Sequence, residues 1–306
     1  MKNIILPTIN HKQVADEIGD FIVNEIVSIG FTGGVIGLSG GVDSTVTAAL
    51  TKRAFDKYNS SHEEKLELLG YLMPTSVNNP EDLRDGKYVV NELGIWHDVI
   101  EIQPLADAYK ISCPELFEEG NEYHLGNLYS EIRASVLHRK AGFEKMQVVG
   151  TGNAGEDFGV GYYTLFGDGA VHLSPIARLS KRLVREMACY LGFEKLANRT
   201  PSAGLEVGQT DFKDLGYSYN FVELVMEGKS QGFSLEELAN HPQVTQMRDF
   251  ENDRYTTNFG AMKFKTTSEA IDDMMRRNHV ANAKGKLVSP PVPKITLNYG
   301  GEDAVC

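Results

Sequence analysis

Several features that define common protein classes are scarce or absent in this chain of 306 residues. Its apolar runs are far too short to span a bilayer, and the N-terminal segment lacks the apolar core of a signal peptide. Three cysteines without metal-ligand spacing give no disulfide framework. A basic excess is missing too, because the net charge is −12. These absences predict a cytoplasmic globular protein that binds neither membranes nor nucleic acids.

A glycine-rich loop between a strand and a helix is the most informative stretch that the chain does contain. An apolar run at 35–38 leads into Ser-Gly-Gly at 39–41, and a helical pattern starts at Val42. Adjacent glycines leave room for a ligand, and backbone N–H groups at a helix N-terminus favour phosphate. The Gly-Lys-Ser/Thr ending of a Walker A loop is missing, and Asp43 stands near its place.

The alternation of strand and helix patterns predicts the fold class. Apolar patterns typical of strands occur at 35–38, 66–73, 95–102 and 146–149. Helical patterns separate and follow them at 11–29, 42–57, 81–93, 127–139 and after Ser180. This order predicts an α/β fold with a doubly wound parallel sheet. We expect one domain over 1–306, with a mostly helical C-terminal extension at about 215–288 and a tail at 289–306.

Three charged residues are candidates for the chemistry at the ends of these strands. Asp43 stands beside a phosphate loop, where its charge would repel a phosphate unless a cation lay between them, and this indicates Mg²⁺. The alternative is that Asp43 only interacts favourably with the positive N-terminal end of its helix. Glu156, after the fourth strand, would complete a metal pair with Asp43 or remain a solvated loop acid. Lys181 lies in the first turn of its helix, where a cation is disfavoured unless an anion is nearby. A solvent-exposed lysine is the alternative.

Several motifs together resemble the NAD synthetase family. They are Ser-Gly-Gly-Val-Asp-Ser at 39–44, Gly-Thr-Gly-Asn at 150–153 with Glu156, Tyr-Thr-Leu-Phe-Gly-Asp-Gly at 163–169, Arg-Leu-Ser-Lys at 178–181 and Pro-Ser-Ala at 201–203. The first is shared by the ATP pyrophosphatases, whereas the series is specific and covers roughly residues 10–280. The resemblance implies a Rossmann-like homodimer that uses ATP and ammonia to convert deamido-NAD to NAD through an adenylated carboxylate.

The same resemblance assigns roles to individual residues. It implies Mg²⁺ ligation by Asp43 and Glu156, and catalysis by these two with Lys181. The implied ATP contacts are Gly37, Leu38, Ser39, Gly40, Gly41, Val42, Asp43, Ser44, Thr151, Lys181 and Ser202. The candidate acceptor contacts are Tyr129, Arg133, Leu165, Asp168, His172 and His279. Because the signature lies close to the first residue, we expect ammonia or a separate donor protein to supply the nitrogen.

The acceptor half departs from the family pattern. Leu165 replaces a common lysine, His172 replaces an acid, and Tyr129 stands where an arginine is usual, with Arg133 one turn later. The C-terminal His-Lys pair is echoed only by His279 and Lys284. Two alternatives therefore stay open: an adenylating amide ligase for another carboxylic acid, and an ATP-binding regulator without catalysis.

Overall fold

The fold is seen in a computed structural model that describes residues 2–202, 204–205, 208–287 and 291–299. Four parallel strands form one sheet in the order β3-β2-β1-β4. They are β1 (Gly33–Gly37), β2 (Glu67–Leu72), β3 (Trp96–Val99) and β4 (Gln147–Val148). A single parallel bridge from Val149 to Leu173 extends the β4 edge. The predicted α/β class with a parallel sheet flanked by helices is confirmed.

Helices connect and flank the strands in the first two thirds of the chain. They are α1 (His11–Val27), α2 (Val42–Asn59), α3 (Pro80–Leu93), α4 (Gln103–Ala108), α5 (Glu122–Glu144), α6 (Lys181–Tyr190) and α7 (Glu194–Ala197). Short 3-10 turns lie at Tyr109–Ile111 and Pro114–Phe117, and a π-helix lies at Gly155–Val160. Gly94 ends α3 in the left-handed conformation, and Ser180 caps α6.

The C-terminal third is helical, as its sequence predicts. It contains α8 (Asp211–Leu215), α9 (Tyr219–Ser230), α10 (Leu235–Ala239), α11 (Pro242–Phe259) and α12 (Thr267–Leu287). A capping box formed by Ser234 and Glu237 begins α10. Within the described part of the tail, Thr8 and Asn298 form an antiparallel bridge; residues 289–290 and 300–306 lie outside it. The assignment of a single domain stays a prediction.

Three hydrophobic clusters hold these elements together. The largest includes Ile18, Val46 and Leu183, and thus joins α1, α2 and α6 on one side of the sheet. A second, around Tyr71 and Ile132, places α5 on the other side. The third packs the C-terminal helices against one another. The burial of these apolar side chains is the main contribution to the stability of the fold. Among the described residues, no helix has the length and apolar character needed to cross a membrane.

Candidate active site

The glycine-rich loop follows β1 and leads directly into α2. Gly40 has a φ of +78°, and a Cβ at this position would lie 2.3 Å from the carbonyl oxygen of Asp82, so glycine is required. Arg199 Nη1 donates to the Gly40 carbonyl at 2.7 Å and holds the loop from the opposite side. The helix cap, Gly41, supplies no side-chain hydrogen bond to the first turn. The loop therefore leaves the amide-rich end of α2 available to an anion.

A buried lysine joins two carboxylates at the carboxyl ends of β1 and β4. Lys181 Nζ donates to Asp43 Oδ2 at 2.5 Å and to Glu156 Oε1 at 2.6 Å. The lysine side chain is 4% exposed, so it is not the solvated surface lysine that was the alternative interpretation. The structure thus brings together the three residues that sequence analysis assigned to catalysis.

Asn153 positions both carboxylates, and sequence reasoning did not assign it a role. Its amide nitrogen donates to Asp43 Oδ1 at 2.9 Å. Its amide oxygen accepts from the backbone N–H groups of Gly155 and Glu156 at 3.0 and 3.1 Å, at the start of the π-helix. Asn153 is fully buried, so its geometry is determined by these bonds. The sequence feature that could have indicated this role is the position of Asn153 at the end of the Gly-Thr-Gly-Asn motif.

The electrostatics of this cluster favour a bound cation. Burial, together with the charges of Asp43 and Asp211, raises the pKa of Glu156 to about 8 although Lys181 opposes the shift. Burial alone would lower the pKa of Lys181, but Asp43, Glu156 and Asp211 raise it above its ordinary value. The lysine is therefore charged at neutral pH and lies among acids that are held close together out of water.

Asp211 is a further acid beside this cluster that the sequence analysis did not predict. It opens α8 and is 4% exposed, and Tyr219 donates its hydroxyl to Asp211 Oδ2 at 3.0 Å. The other oxygen, Oδ1, is buried without a hydrogen-bond partner among the described residues. Burial raises the pKa of this carboxyl, and the charge of Lys181 lowers it. Asp211 is thus an unsatisfied acceptor in the cavity wall.

One cavity of about 1030 Å³ connects these residues to two of the six predicted acceptor side chains, Arg133 and Asp168. The phosphate-loop residues Gly37, Leu38, Ser39, Gly41, Val42, Asp43 and Ser44 line it, as do Thr151, Ser202, Arg133 and Asp168. The cavity lies beyond the carboxyl ends of the strands, where ligands bind in open parallel sheets. Its volume lies at the upper limit of the range typical of small-ligand pockets.

Arg133 and Lys284 add positive charge to the wall of the cavity. Arg133 Nε donates to the Met73 carbonyl at 3.0 Å, and burial lowers its pKa to about 10. Lys284 Nζ donates to the Gly161 and Tyr163 carbonyls at 2.9 and 2.5 Å. Within the described residues neither side chain has a carboxylate partner in a salt bridge, so their charges remain available to an anionic ligand.

Asp168 lines the same cavity and is held there by a compact network of hydrogen bonds. Its Oδ1 accepts from Ser130 Oγ at 2.8 Å and from the Thr164 N–H at 2.9 Å. Desolvation raises the pKa of this carboxyl even though these bonds and Lys284 lower it. The Asp168 carboxylate and Lys284 thus both line the cavity, and the charge of Lys284 acts on Asp168.

Four predicted acceptor residues are not among the cavity-lining side chains. Tyr129 is buried in the cluster around α5, and His172 Nδ1 accepts from the Val148 N–H at 2.7 Å beside β4. Leu165 and His279 also lie outside the cavity wall. The contacts predicted for these four residues stay predictions.

The donor set fits Mg²⁺. Two carboxylates already bind one cationic group, and Mg²⁺ in enzymes takes one or two protein carboxylates together with substrate phosphates. Among the described residues there is no group of three or more His, Cys, Asp or Glu placed as a complete protein cage. This arrangement suits a metal shared with a phosphate ligand.

Comparisons with known proteins agree with one another. A family model described as NAD synthase matches residues 14–263. The NH(3)-dependent NAD(+) synthetase of Methanosarcina acetivorans is 37% identical over 286 residues, which are 93% of this chain and 98% of the relative. The protein of the same name from Methanosarcina mazei is 39% identical over 278 residues, which are 90% and 95% of the two chains.

Solved structures show the same likeness. The NMN synthetase of Francisella tularensis aligns with a TM-score of 0.66 at 28% identity and covers 82% of this chain and 96% of its own. The NH3-dependent NAD synthetase of Campylobacter jejuni, in complex with the nitrate ion, aligns with a TM-score of 0.60 at 26% identity. The alignment covers 84% of this chain and 99% of the Campylobacter jejuni chain.

Proposed function

Because this chain belongs to the NAD synthase family, we propose that it is an ammonia-dependent ligase that uses ATP to amidate deamido-NAD to NAD. The observation that carries the proposal is the cluster of Asp43, Glu156 and Lys181 beside the phosphate loop, in the wall of a cavity of about 1030 Å³. Arg133 and Lys284 line the same cavity, and their positive charges suit an anionic acceptor.

The reaction needs two displacement steps. An oxygen of the pyridine carboxylate attacks the α-phosphorus of ATP, and the bond to the β-phosphate oxygen breaks to release pyrophosphate. Ammonia then attacks the acyl carbon, loses a proton, and AMP leaves with the bonding electron pair. Adenylation is required because a free carboxylate lacks a good leaving group.

The residues of the site contribute positioning and charge to these steps. We propose that the N–H groups of the loop at 37–44 bind the ATP phosphates, with Thr151 and Ser202 as further contacts. Asp43 and Glu156 would hold Mg²⁺, which supplies positive charge to the departing pyrophosphate. Lys181 adds a second positive charge from inside the cavity. Arg133, Asp168 and Lys284 would orient the acceptor, so that its carboxylate meets the α-phosphate.

A pyrophosphate assay tests this function directly. The purified protein receives ATP, Mg²⁺ and ammonium with deamido-NAD, with nicotinic acid mononucleotide, or with no acceptor. We expect pyrophosphate release only with deamido-NAD, and NAD in equal amount. Release only with the mononucleotide would assign the activity of the second candidate, an NMN synthetase, which the likeness to the Francisella tularensis enzyme supports. Absence of release with both acceptors contradicts the proposal.

We also propose that the protein is a homodimer in the cytoplasm. Support for the dimer comes from apolar side chains in and after α4, which are unusually exposed: Ile111 is 88% and Leu105 47% accessible. Such patches mark contact surfaces. Light scattering should give twice the chain mass, and Ile111→Asp should give a monomer. The control Ile29→Asp, on an exposed residue beyond α1, should leave the mass unchanged.

A further inference from the structure

Lys181 binds the same two carboxylates that are assigned to the metal ion. We infer that Lys181 holds the position of the divalent cation in the metal-free protein, and that Asp211 receives its ammonium group when the cation binds. This inference rests on the proposed function only through the assignment of Asp43 and Glu156 as metal ligands.

The contacts of Asp43 leave little room for both cations. Asn153 already donates to Asp43 Oδ1, so Lys181 and an incoming cation compete for Oδ2. Glu156 Oε1 is the second oxygen that Lys181 occupies. A Mg²⁺ ion lies about 2.0–2.1 Å from its carboxylate ligands, so an ammonium group on the same oxygens would repel it at close range. Lys181 must therefore leave these oxygens when a divalent cation takes them.

Asp211 is suited to accept the displaced lysine. Lys181 is 4% exposed, and a buried ammonium group needs an acceptor wherever it moves. Asp211 Oδ1 is buried without a partner among the described residues, and its charge already acts on Lys181. The ring of Tyr219, which donates to the other oxygen of Asp211, lies 5.3 Å from Lys181 Nζ. Movement of the ammonium group past this ring would bring it toward Asp211 Oδ1.

This exchange would couple metal binding to the position of the catalytic lysine. Without a metal ion, Lys181 neutralises the two acids. With a metal ion, it turns from them toward the cavity wall that Asp211 lines, and it becomes available to the phosphates of ATP. Asp211 is thus a positioning residue that acts through Lys181.

Calorimetric titration with MgCl₂ alone, without nucleotide or acceptor, tests the competition. We expect Lys181→Met to bind Mg²⁺ about tenfold or more tightly than the unchanged protein, because a positive charge at the site is removed. Equal or weaker binding by the folded variant would overturn the inference.

A double-mutant cycle tests the role of Asp211. Asp211→Asn should weaken Mg²⁺ binding several-fold when Lys181 is present, and should have little effect in the Lys181→Met background. An equal effect in both backgrounds would mean that Asp211 acts only through its general negative charge. Asp214→Asn is the matched control, because Asp214 lines the same cavity but is paired with Tyr162 and Gln209. Its effect should be the same in both backgrounds.

A direct structural measurement covers the case in which Lys181→Met does not fold. Crystals of the unchanged protein with Mg²⁺ and no nucleotide should place Lys181 Nζ within hydrogen-bond distance of Asp211 and away from Asp43. Lys181 bound to both Asp43 and Glu156 beside a bound Mg²⁺ would refute the exchange. Since none of these experiments contains ATP or acceptor, their failure is separate from failure of the pyrophosphate assay.

Discussion

Individual side chains in the cavity owe their chemistry to the loss of water around them. Lys181 stays charged because three acids surround it, and Glu156 has a raised pKa because burial outweighs the nearby lysine. Asn153 uses both ends of its amide to bind Asp43 and the start of the π-helix. The candidate catalytic groups are thus positioned by buried hydrogen bonds, above all those of Asn153, rather than by flexible surface side chains.

Asp43→Asn should leave the fold intact and reduce turnover by about a hundredfold or more. The amide lacks the negative charge that a metal ligand needs, whereas Lys181 keeps its bond to Glu156. Steady-state pyrophosphate release and thermal unfolding measure the two effects. The control is Asp56→Asn, which removes an exposed carboxylate from the same helix, α2. Near-normal turnover in the Asp43 variant would remove this residue from the metal site.

Lys284→Met should raise the KM for the acceptor about tenfold while the KM for ATP changes little. The lysine lines the cavity and is proposed to contact the acceptor, and a hydrogen bond from a charged group contributes about 1.5–3 kcal/mol. Lys286→Met removes an exposed lysine from the same helix, α12, and should change neither constant. A rise in the KM for ATP alone would place Lys284 in the other half of the cavity.

At the scale of elements, the π-helix connects the site to the C-terminal helices. Gly159 packs against Val222 of α9, and Gly161 ends the π-helix with a φ of +62° against the backbone of Ala281 in α12. Lys284 of α12 binds the carbonyl of the same Gly161. Because α9 and α12 share a hydrophobic cluster, the position of Glu156 depends on packing in the C-terminal third.

Gly161→Ala should lower the free energy of unfolding by roughly 2–3 kcal/mol. Its Cβ would lie 2.9 Å from Ala281 Cα, and the left-handed backbone conformation disfavours a side chain. Urea denaturation measures the loss. Gly142→Ala on α5 is the control: nothing lies within 4 Å of its Cβ, and alanine should stabilise that helix by up to about 1 kcal/mol. Equal stabilities of the two variants would contradict this account of the π-helix.

At the scale of the whole molecule, the buried acids give stability an unusual dependence on pH. Burial raises the pKa of Glu156 and of Asp157 to about 8, and it raises the pKa of Asp168 and Asp211 as well. The folded state therefore binds more protons than the unfolded state between the ordinary carboxyl range and pH 8. Stability from these groups is complete at low pH and is lost as pH rises through 8.

The metal-free protein should lose at least about 1 kcal/mol of stability between about pH 7 and pH 8.5. This interval lies above the titration of His172, whose pKa burial lowers. Added Mg²⁺ should restore more stability at the higher pH, since it binds the ionised acids. Thermal unfolding in EDTA and in MgCl₂ measures both effects. Asp157→Asn should make stability depend less on pH and should keep the stabilisation by Mg²⁺. A stability that rises with pH in EDTA would refute the prediction.

Local patterns in the sequence were sufficient for much of the fold and part of the site. Strand, loop and helix around residues 33–59 follow from apolar periodicity and glycine placement, and the parallel sheet follows from the alternation of elements. The predicted helix at 127–139 was too short because α5 is largely exposed beyond those positions. The π-helix was missed because its hydrogen-bond pattern has no periodicity signal of its own.

The chemical groups of the site can be recognised in the amino-acid sequence: a phosphate loop, two candidate metal acids and a lysine in an unfavourable first turn. Their arrangement comes from the packing of the fold, in which Lys181 binds Asp43 across 138 residues of chain, Asn153 binds Asp43, and Asp211 lies beside them. The packing also placed Lys284 in the cavity and Leu165 outside its wall. The reason is physical: local sequence sets backbone conformation and burial periodicity, whereas distances between remote side chains depend on how whole elements pack.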